Sequence, residues 1–497
     1  MSSATLQGVR PPAVSTLALL APLAGFAAVA IVVGDESVEV AMALVLLAAL
    51  LWQIWKAPLG VGVLIPVFLG LTLDSPEGRL AGGAWESPLT TLGTVMLAHL
   101  NVATGIKALF FSGMDLMLGL LFVIALLRPA RPAAGEARPA LPPIHRFAGL
   151  ALLATAVTWL WGAASNGNVS ASLWQANKLY YVPLVVILFA MAFREAPDYR
   201  PLGHVLVLAA CLKSLMAWWI TWVVMGGPVP FYATTHADTI LFSCAITLII
   251  AVRLEEPGRA RGSLYWVALP LIIGGMWANN RRLAWVAVAW AVATYYVVMP
   301  WTARKRALTR AVLLSVPLIV LYLVVGWSSQ SVVFAPARLV ASVTSHDVNG
   351  STRWRDLENF NLVYTFAQQP LMGTGFGHEY IERVRLPDIS AAFPMFRYLP
   401  HNGMLALWVS GGCVGFTAQW LLLTAGIFFG ARAYRHAVRP QDRTAALTCI
   451  AAVVVYMISA YGDTTLGSWA GVFTAGPAIA LASTLAGTTG AWRTARS

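Results

Sequence analysis

Apolar runs of about 16–25 residues recur along the whole chain, each long enough to span a bilayer or nearly so. In hydrocarbon the backbone has no water to bond, so such runs satisfy their polar groups as helices. We read fourteen of them, near 13–33, 38–55, 59–74, 108–127, 147–163, 179–193, 202–224, 239–252, 263–278, 283–300, 311–327, 403–430, 445–461 and 468–487. The expected fold class is therefore an all-α polytopic membrane protein. With 58% hydrophobic and 11% charged residues, the chain lies far outside soluble composition. The N-terminal stretch "TLALLAPLAGFAAVA" has the look of a signal peptide but is long enough to be the first span, and is read as one. Cys211, Cys244, Cys413 and Cys449 all fall inside spans and read as small packing residues rather than disulfides.

A net charge of +12 raises the question of nucleic acid, but the basic residues sit in short loops between spans. That placement is the orientation signal of a multi-pass protein. With the N-terminus inside, inner segments hold 21 of the 33 Lys and Arg and outer segments 11, with Lys213 inside a span. Both termini are thus expected in the cytoplasm, and no nucleic-acid partner is expected. Eight of the 11 outer cations sit in two places, Arg281–Arg282 and the stretch 328–400.

Residues 328–400 break the pattern of short connections, and loops of this length are usually functional. The chain divides accordingly into a bundle (1–327), a partly helical outer loop (328–400) and closing spans (401–497). Within the loop, "STRWRDLENFNLVYTFAQQP" has a Ser/Thr start, early acids, Trp354, Leu357, Phe360, Leu362 and Phe366 for packing, and a stop at Pro370. "LMGTGFGHEY" then supplies three closely spaced glycines for a tight turn. The segment 75–107 contains "TTLGTVMLAHLNV", too short to span, and is expected to lie at the interface or re-enter. "RPARPAAGEARPALPPIHR" (128–146) reads as a flexible linker.

The adjacent pair Arg281–Arg282 runs against the charge bias, so it is not a topology anchor. Arginine forks match phosphate oxygens two at a time, and the outer loop adds Arg353 and Arg355. A lipid-linked diphosphate at the outer surface fits this collection; the bland alternative is that the arginines snorkel to headgroups. His401 and Asn402 mark the point where the loop returns to the membrane, where either can cap the new helix and His401 can exchange a proton. His378 and Glu379 decorate the glycine turn. His236 is a secondary contact, and Asp238 is expected to cap the span that follows. Asp115 and Lys213, inside spans, either pair with each other or line a path. No Asp-x-Asp pair stands in an outer loop, and Asp35–Glu36 reads as a solvated turn, so neither metal nor other cofactor is expected.

"NNRRLAW", then "RWRDLENFNLVYTFAQQPLMGTGFG", then "PHNGMLALWVSGGCVGF" together resemble the O-antigen ligase and polysaccharide polymerase family of bacterial membrane glycosyltransferases. The likeness covers about 263–430 and rests on Arg282-Leu283-Ala284-Trp285, on Pro370, Leu371, Gly373, Gly375, Phe376 and Gly377, and on His401, Asn402 and Leu405. The paired Arg281–Arg282 departs from the single arginine common in the family. The resemblance implies a GT-C-like architecture in the inner membrane, with the active site on the periplasmic face. It implies a polyprenyl-diphosphate-linked glycan as donor and a glycan or glycolipid hydroxyl as acceptor, with inversion and without a metal. Carried over, Arg281, Arg282, Arg353 and Arg355 hold the diphosphate, with Arg282, Arg353 and His401 catalytic and Asn402, Gly375 and Gly377 contacting substrate. Fourteen spans and a long loop favour a polymerase over a ligase. The reading from a different class is a transporter or flippase of lipid-linked sugars, which predicts matched halves and charges through the depth of the bundle.

Overall fold

A computed structural model describes residues 37–73, 79–128, 142–193, 199–229, 232–258, 264–329, 331–334, 337, 350–390, 393–463 and 465–492. The expected first span, Asp35–Glu36, Arg338 and residues 129–141 of the expected linker lie outside them. The first half of the described chain contributes α1 (Val38–Lys56), α2 (Leu59–Gly62), α3 (Leu64–Thr72), α4 (Thr90–Leu97), α5 (Leu100–Thr104), α6 (Gly113–Leu127), α7 (Ile144–Ala164), α8 (Val169–Ala192) and α9 (Arg200–Trp219). The second half contributes α10 (Asp238–Glu255), α11 (Tyr265–Ala278), α12 (Arg282–Val298), α13 (Ala303–Gly326), α14 (Gly350–Gln368), α15 (Gly403–His436), α16 (Pro440–Gly462) and α17 (Trp469–Thr488).

Among the described residues seven helices are long and apolar enough to cross a membrane: α1, α7, α9 with its π turn, α13, α15, α16 and α17. The count is eight if α8, bent by 41°, is one span. The protein is a polytopic membrane protein. The other expected spans are helical but interrupted or short. The run at 59–74 is broken between α2 and α3, and α6, α11 and α12 have 10–17 residues. Asp238, Arg253 and Glu255 charge the two ends of α10, although nearly all of it is buried.

α17 is the centre of the bundle, and the whole of its apolar window is buried. Its sequence explains this: it alternates Gly, Ala, Ser and Thr with a few large side chains and carries no charge, so neighbours approach it from every side. A Cβ at Gly476 would meet Val185 Cγ1 at 2.7 Å, and one at Gly426 of α15 would meet Ile479 Cγ1 at 2.8 Å. α15, α16, α8 and α10 surround it. α13 is the opposite case, apolar all round with none of its span buried, as in a helix bathed by lipid.

The segment expected at the interface forms α4, α5 and a two-residue ribbon, Arg79–Leu80 against Trp85–Glu86. The ribbon docks on the α9–α10 connection, where the Ala81 N–H donates to Ala233 O at 3.1 Å. α14 runs through Ser351 and Thr352 and is already helical at Gly350, so these residues are not the expected cap. Trp354, Leu357 and Phe366 pack around Leu362, Tyr380, Leu386 and Val409, but Phe360 turns outward and is 53% exposed.

Candidate functional site

The ends of α9, α10, α11, α12, α15 and α16 meet at one end of the bundle, beneath α14, and ion pairs and side-chain bonds join them. Asn279 and Asn280 make the tight junction between α11 and α12. Asn280 takes a left-handed conformation (φ 52°), which asparagine tolerates better than most residues. Asn279 is buried; its Oδ1 accepts from the backbone N–H of Ala233 at 3.0 Å and of Thr234 at 2.9 Å. The junction is thereby fixed to the α9–α10 connection, and the direction of Arg281 with it.

Arg281 precedes α12 and is half-buried, while Arg282 opens α12 and is exposed. Arg281 Nη2 donates to Asp463 Oδ2 at the end of α16, and that same oxygen lies 2.7 Å from His236 Nδ1. The Asp463 side chain is buried at 3% exposure. Burial lowers the Arg281 pKa, Asp463 opposes the shift, and the charge of Arg355 adds to the lowering. An arginine so shifted remains a cation, since guanidinium does not lose its proton in proteins. Arg355 thus contributes to the electrostatics at Arg281. Among the described residues Arg353 and Arg355 have no carboxylate partner. Arg353 is exposed and Arg355 partly buried.

One turn along α14 from Arg355 stands Glu358, fully buried. Residues three apart share a helix face. Glu358 accepts from the His401 backbone N–H at 3.0 Å, and its other oxygen lies 3.4 Å from His401 Nδ1. Trp354 closes the other side of the imidazole, edge to face at 5.0 Å. His401 is held by its Nδ1 side, which directs Nε2 away from the carboxylate. The cap of α15 is Asn402, whose Oδ1 accepts from the Leu405 N–H at 3.1 Å, so His401 does not have that duty.

The glycine turn joins loop and bundle. α15 breaks at Gly412 (φ 55°), leaving carbonyls and N–H groups without helical partners. The turn takes them up: the N–H of Thr374 and of Gly375 donate to Val409 O and Ser410 O at 2.8 and 3.1 Å. In return the N–H of Cys413 and of Val414 donate to Pro370 O and Leu371 O at 2.8 and 3.1 Å. A Cβ on Gly375 (φ 80°) would fall 2.3 Å from Gly162 Cα, and one on Gly377 (φ 94°) 2.7 Å from Asn168 O. Gly375 and Gly377 are thus enclosed by the α7–α8 turn. Gln175 of α8 fastens the turn further: its Oε1 accepts from the Gly377 N–H at 2.5 Å and its Nε2 donates to Tyr398 O at 2.7 Å. His378 meets Ser165 Oγ at 2.9 Å.

Residues 267–418 match the family model described as O-antigen ligase. Over these residues the chain is similar to the O-antigen ligase family. No curated protein matches the chain. The matched segment of the O-antigen ligase type runs from α11 into α15, and so contains the arginine junction, α14, the glycine turn and His401.

Three residues of this cluster escaped the sequence reading as site members or had only a secondary place in it: Glu358, Asp463 and His236. The signal for Glu358 was its spacing from Arg355; Asp463 lies outside the matched segment, and its only local signal is a charge at the end of a span. Asp115 and Lys213 do not pair with each other. Asp115 forms a capping box with Ser112 and accepts from the Tyr181 hydroxyl. Lys213 lies 3.6 Å from Asp238, both buried. Asp238 sits inside the first turn of α10 and accepts from the Thr235 N–H at 3.1 Å; Ala237 holds the cap position.

Proposed function

We propose that this end of the bundle binds a polyprenyl-diphosphate-linked glycan and transfers the glycan to a hydroxyl of a glycan or glycolipid, with inversion and without a metal. Arg281 held on Asp463 at the mouth of the bundle, with His401 held by a carboxylate one turn along α14 from Arg355, carries the reading. Arg281 and Arg355, supported by Arg282 and Arg353, hold the diphosphate. As the bond from the sugar C1 to the diphosphate oxygen breaks, negative charge grows on that oxygen, and positioned guanidinium groups stabilise it. His401 Nε2 accepts the proton of the acceptor hydroxyl, while Glu358 fixes the ring and stabilises the imidazolium that forms. Asn402 sets the start of α15, and Gly375 and Gly377 bring the loop down onto the bundle so that both halves face one substrate. The setting is a bacterial inner membrane with both termini cytoplasmic and this site periplasmic, as the charge bias supports. In that arrangement 1–327 and 401–497 form the spans, about fourteen in a GT-C-like bundle, and 328–400 the loop that closes the site.

The test is transfer by purified protein in nanodiscs from a lipid-diphosphate glycan, read as product length on a gel. A growing glycan and a lipid-anchored glycan are offered as separate acceptors: extension of the first marks a polymerase, capping of the second a ligase. Donor that crosses the bilayer without forming product with either acceptor would replace transfer by transport.

A further inference from the structure

The molecule contains two histidine–carboxylate pairs at the same end of the bundle, and the reaction as described uses one. The second is His236 with Asp463. Its carboxylate is more deeply tied into the bundle, and the oxygen that meets His236 Nδ1 is the one bonded by Arg281. Two groups on one oxygen stand no more than about two hydrogen-bond lengths, roughly 6 Å, apart. A diphosphate that reaches Arg281 therefore reaches His236. The Tyr232 ring packs tilted against the imidazole, 57° between planes and 4.2 Å between centroids. With Nδ1 turned to Asp463, Nε2 is left on the side away from it, and the side chain is 37% exposed. Among the described residues Nε2 has no hydrogen-bond partner.

We infer that His236 is a third ligand of the diphosphate, an imidazolium clamped by Asp463 that donates from Nε2 to a phosphate oxygen beside Arg281. The inference rests on the lipid-diphosphate reading and adds a residue to it. Asp463 lies between Arg281 and His236 and leaves Nε2 of the imidazole turned toward the ligand's side. The other charged groups around it favour the same partner: Arg355 of α14 adds positive charge felt at Arg281, while Asp238, two residues on, is occupied by Lys213. Hydrogen bonds to charged groups contribute about 1.5–3 kcal/mol, which corresponds to roughly ten- to a hundredfold in affinity.

Inorganic pyrophosphate is the probe, titrated into the full chain in detergent micelles at constant ionic strength. His236→Ala is expected to weaken it about tenfold or more, and His236→Gln nearly as much, because glutamine supplies a neutral donor without the charge. Asp463→Asn combined with His236→Ala should cost less than the two single losses together, since both remove one clamp. In transfer assays the donor KM should rise more than kcat falls. If wild type binds pyrophosphate and Arg355→Ala weakens it while His236→Ala, equally stable to heating, does not, then His236 is no ligand and the diphosphate reading survives. If wild type binds no pyrophosphate, that reading falls and His236 falls with it.

Discussion

The loop side and the bundle side of the site hold their histidines by different means. On the loop side Glu358 serves His401 alone, and its own helix also carries Arg355 and Trp354, so one rigid element sets three groups. On the bundle side Asp463 serves Arg281 and His236 together, and three separate helix ends meet on one carboxylate. The loop side is organised by one helix. The bundle side is organised by packing between spans and cannot change without disturbing them. A buried carboxylate that loses its partners costs about 3–5 kcal/mol, so Glu358 and Asp463, both buried, each tie their side of the site to stability, Asp463 through three helix ends and Glu358 through one histidine.

The largest effect is expected on the loop side. His401→Ala should lower transfer about 10²–10⁴-fold, the usual contribution of a general base, with pyrophosphate binding kept. His401→Asn should be equally poor, because Asn402 already caps α15. Near-normal turnover by His401→Asn would remove the base and leave the arginines as the working groups. Glu358→Gln should lie between, roughly 10–100-fold down, as is typical when a partner that orients a working group is lost.

The bundle side comes next. Lysine keeps the charge of Arg281 but cannot hold Asp463 and a phosphate with one planar fork. Arg281→Lys should cost about 10²-fold in kcat/KM for the donor, the size seen when one stabilising donor is lost. It should also lower the melting temperature, which Arg355→Lys should leave alone. Arg282→Lys should cost less than Arg281→Lys, since Arg282 is exposed at the start of α12. The reverse order would put the diphosphate on the lipid side of the junction.

The joint between the two sides answers to stability first. Gly375→Ala must find room where a Cβ falls 2.3 Å from Gly162 Cα, with φ at 80°. Overpacking costs about 1–3 kcal/mol, and the left-handed backbone adds about 1 more. The variant should melt earlier and lose transfer in the same proportion. If transfer vanishes while the melting temperature holds, the turn contacts substrate directly as well as joining loop to bundle.

Local features of the sequence were legible because their causes are local. Apolar length gave the helices, Gly412 and the three turn glycines marked a place of close backbone approach, and Asn402 stood at the start of α15. What the sequence did not disclose was pairing across distance. Glu358 is 43 residues from His401, and Asp463 is 182 from Arg281; no periodicity links such positions until the helices pack. Lys213 and Asp238 could not be matched for the same reason, since several buried charges compete for each partner. Phe360 failed because α14 is covered on one side only, and an aromatic residue in an apolar pattern does not reveal which side that is. α11 and α12 meet at Asn279 and Asn280, as the apolar runs indicate, and it is the bonding of these side chains to the neighbouring connection that the runs do not show.

The smallest expected effect lies where the loop becomes bundle. Asn402 Oδ1 bonds the Leu405 N–H, and replacing such a cap by alanine typically costs about 1 kcal/mol. Asn402→Ala should therefore lower stability modestly, while Asn402→Asp or Asn402→Ser should restore it because each accepts the same bond. The functional consequence depends on which side of the site governs His401. If Glu358 holds it, as the two bonds to that carboxylate indicate, fraying the first turn of α15 leaves the imidazole in place. Transfer by Asn402→Ala should then stay within a few-fold of wild type. Measured melting temperature and product length, taken on the same preparations, decide the matter. A hundredfold loss of transfer, not restored by Ser, would make Asn402 a contact of the substrate in its own right and would extend the site from the loop into the first turn of α15.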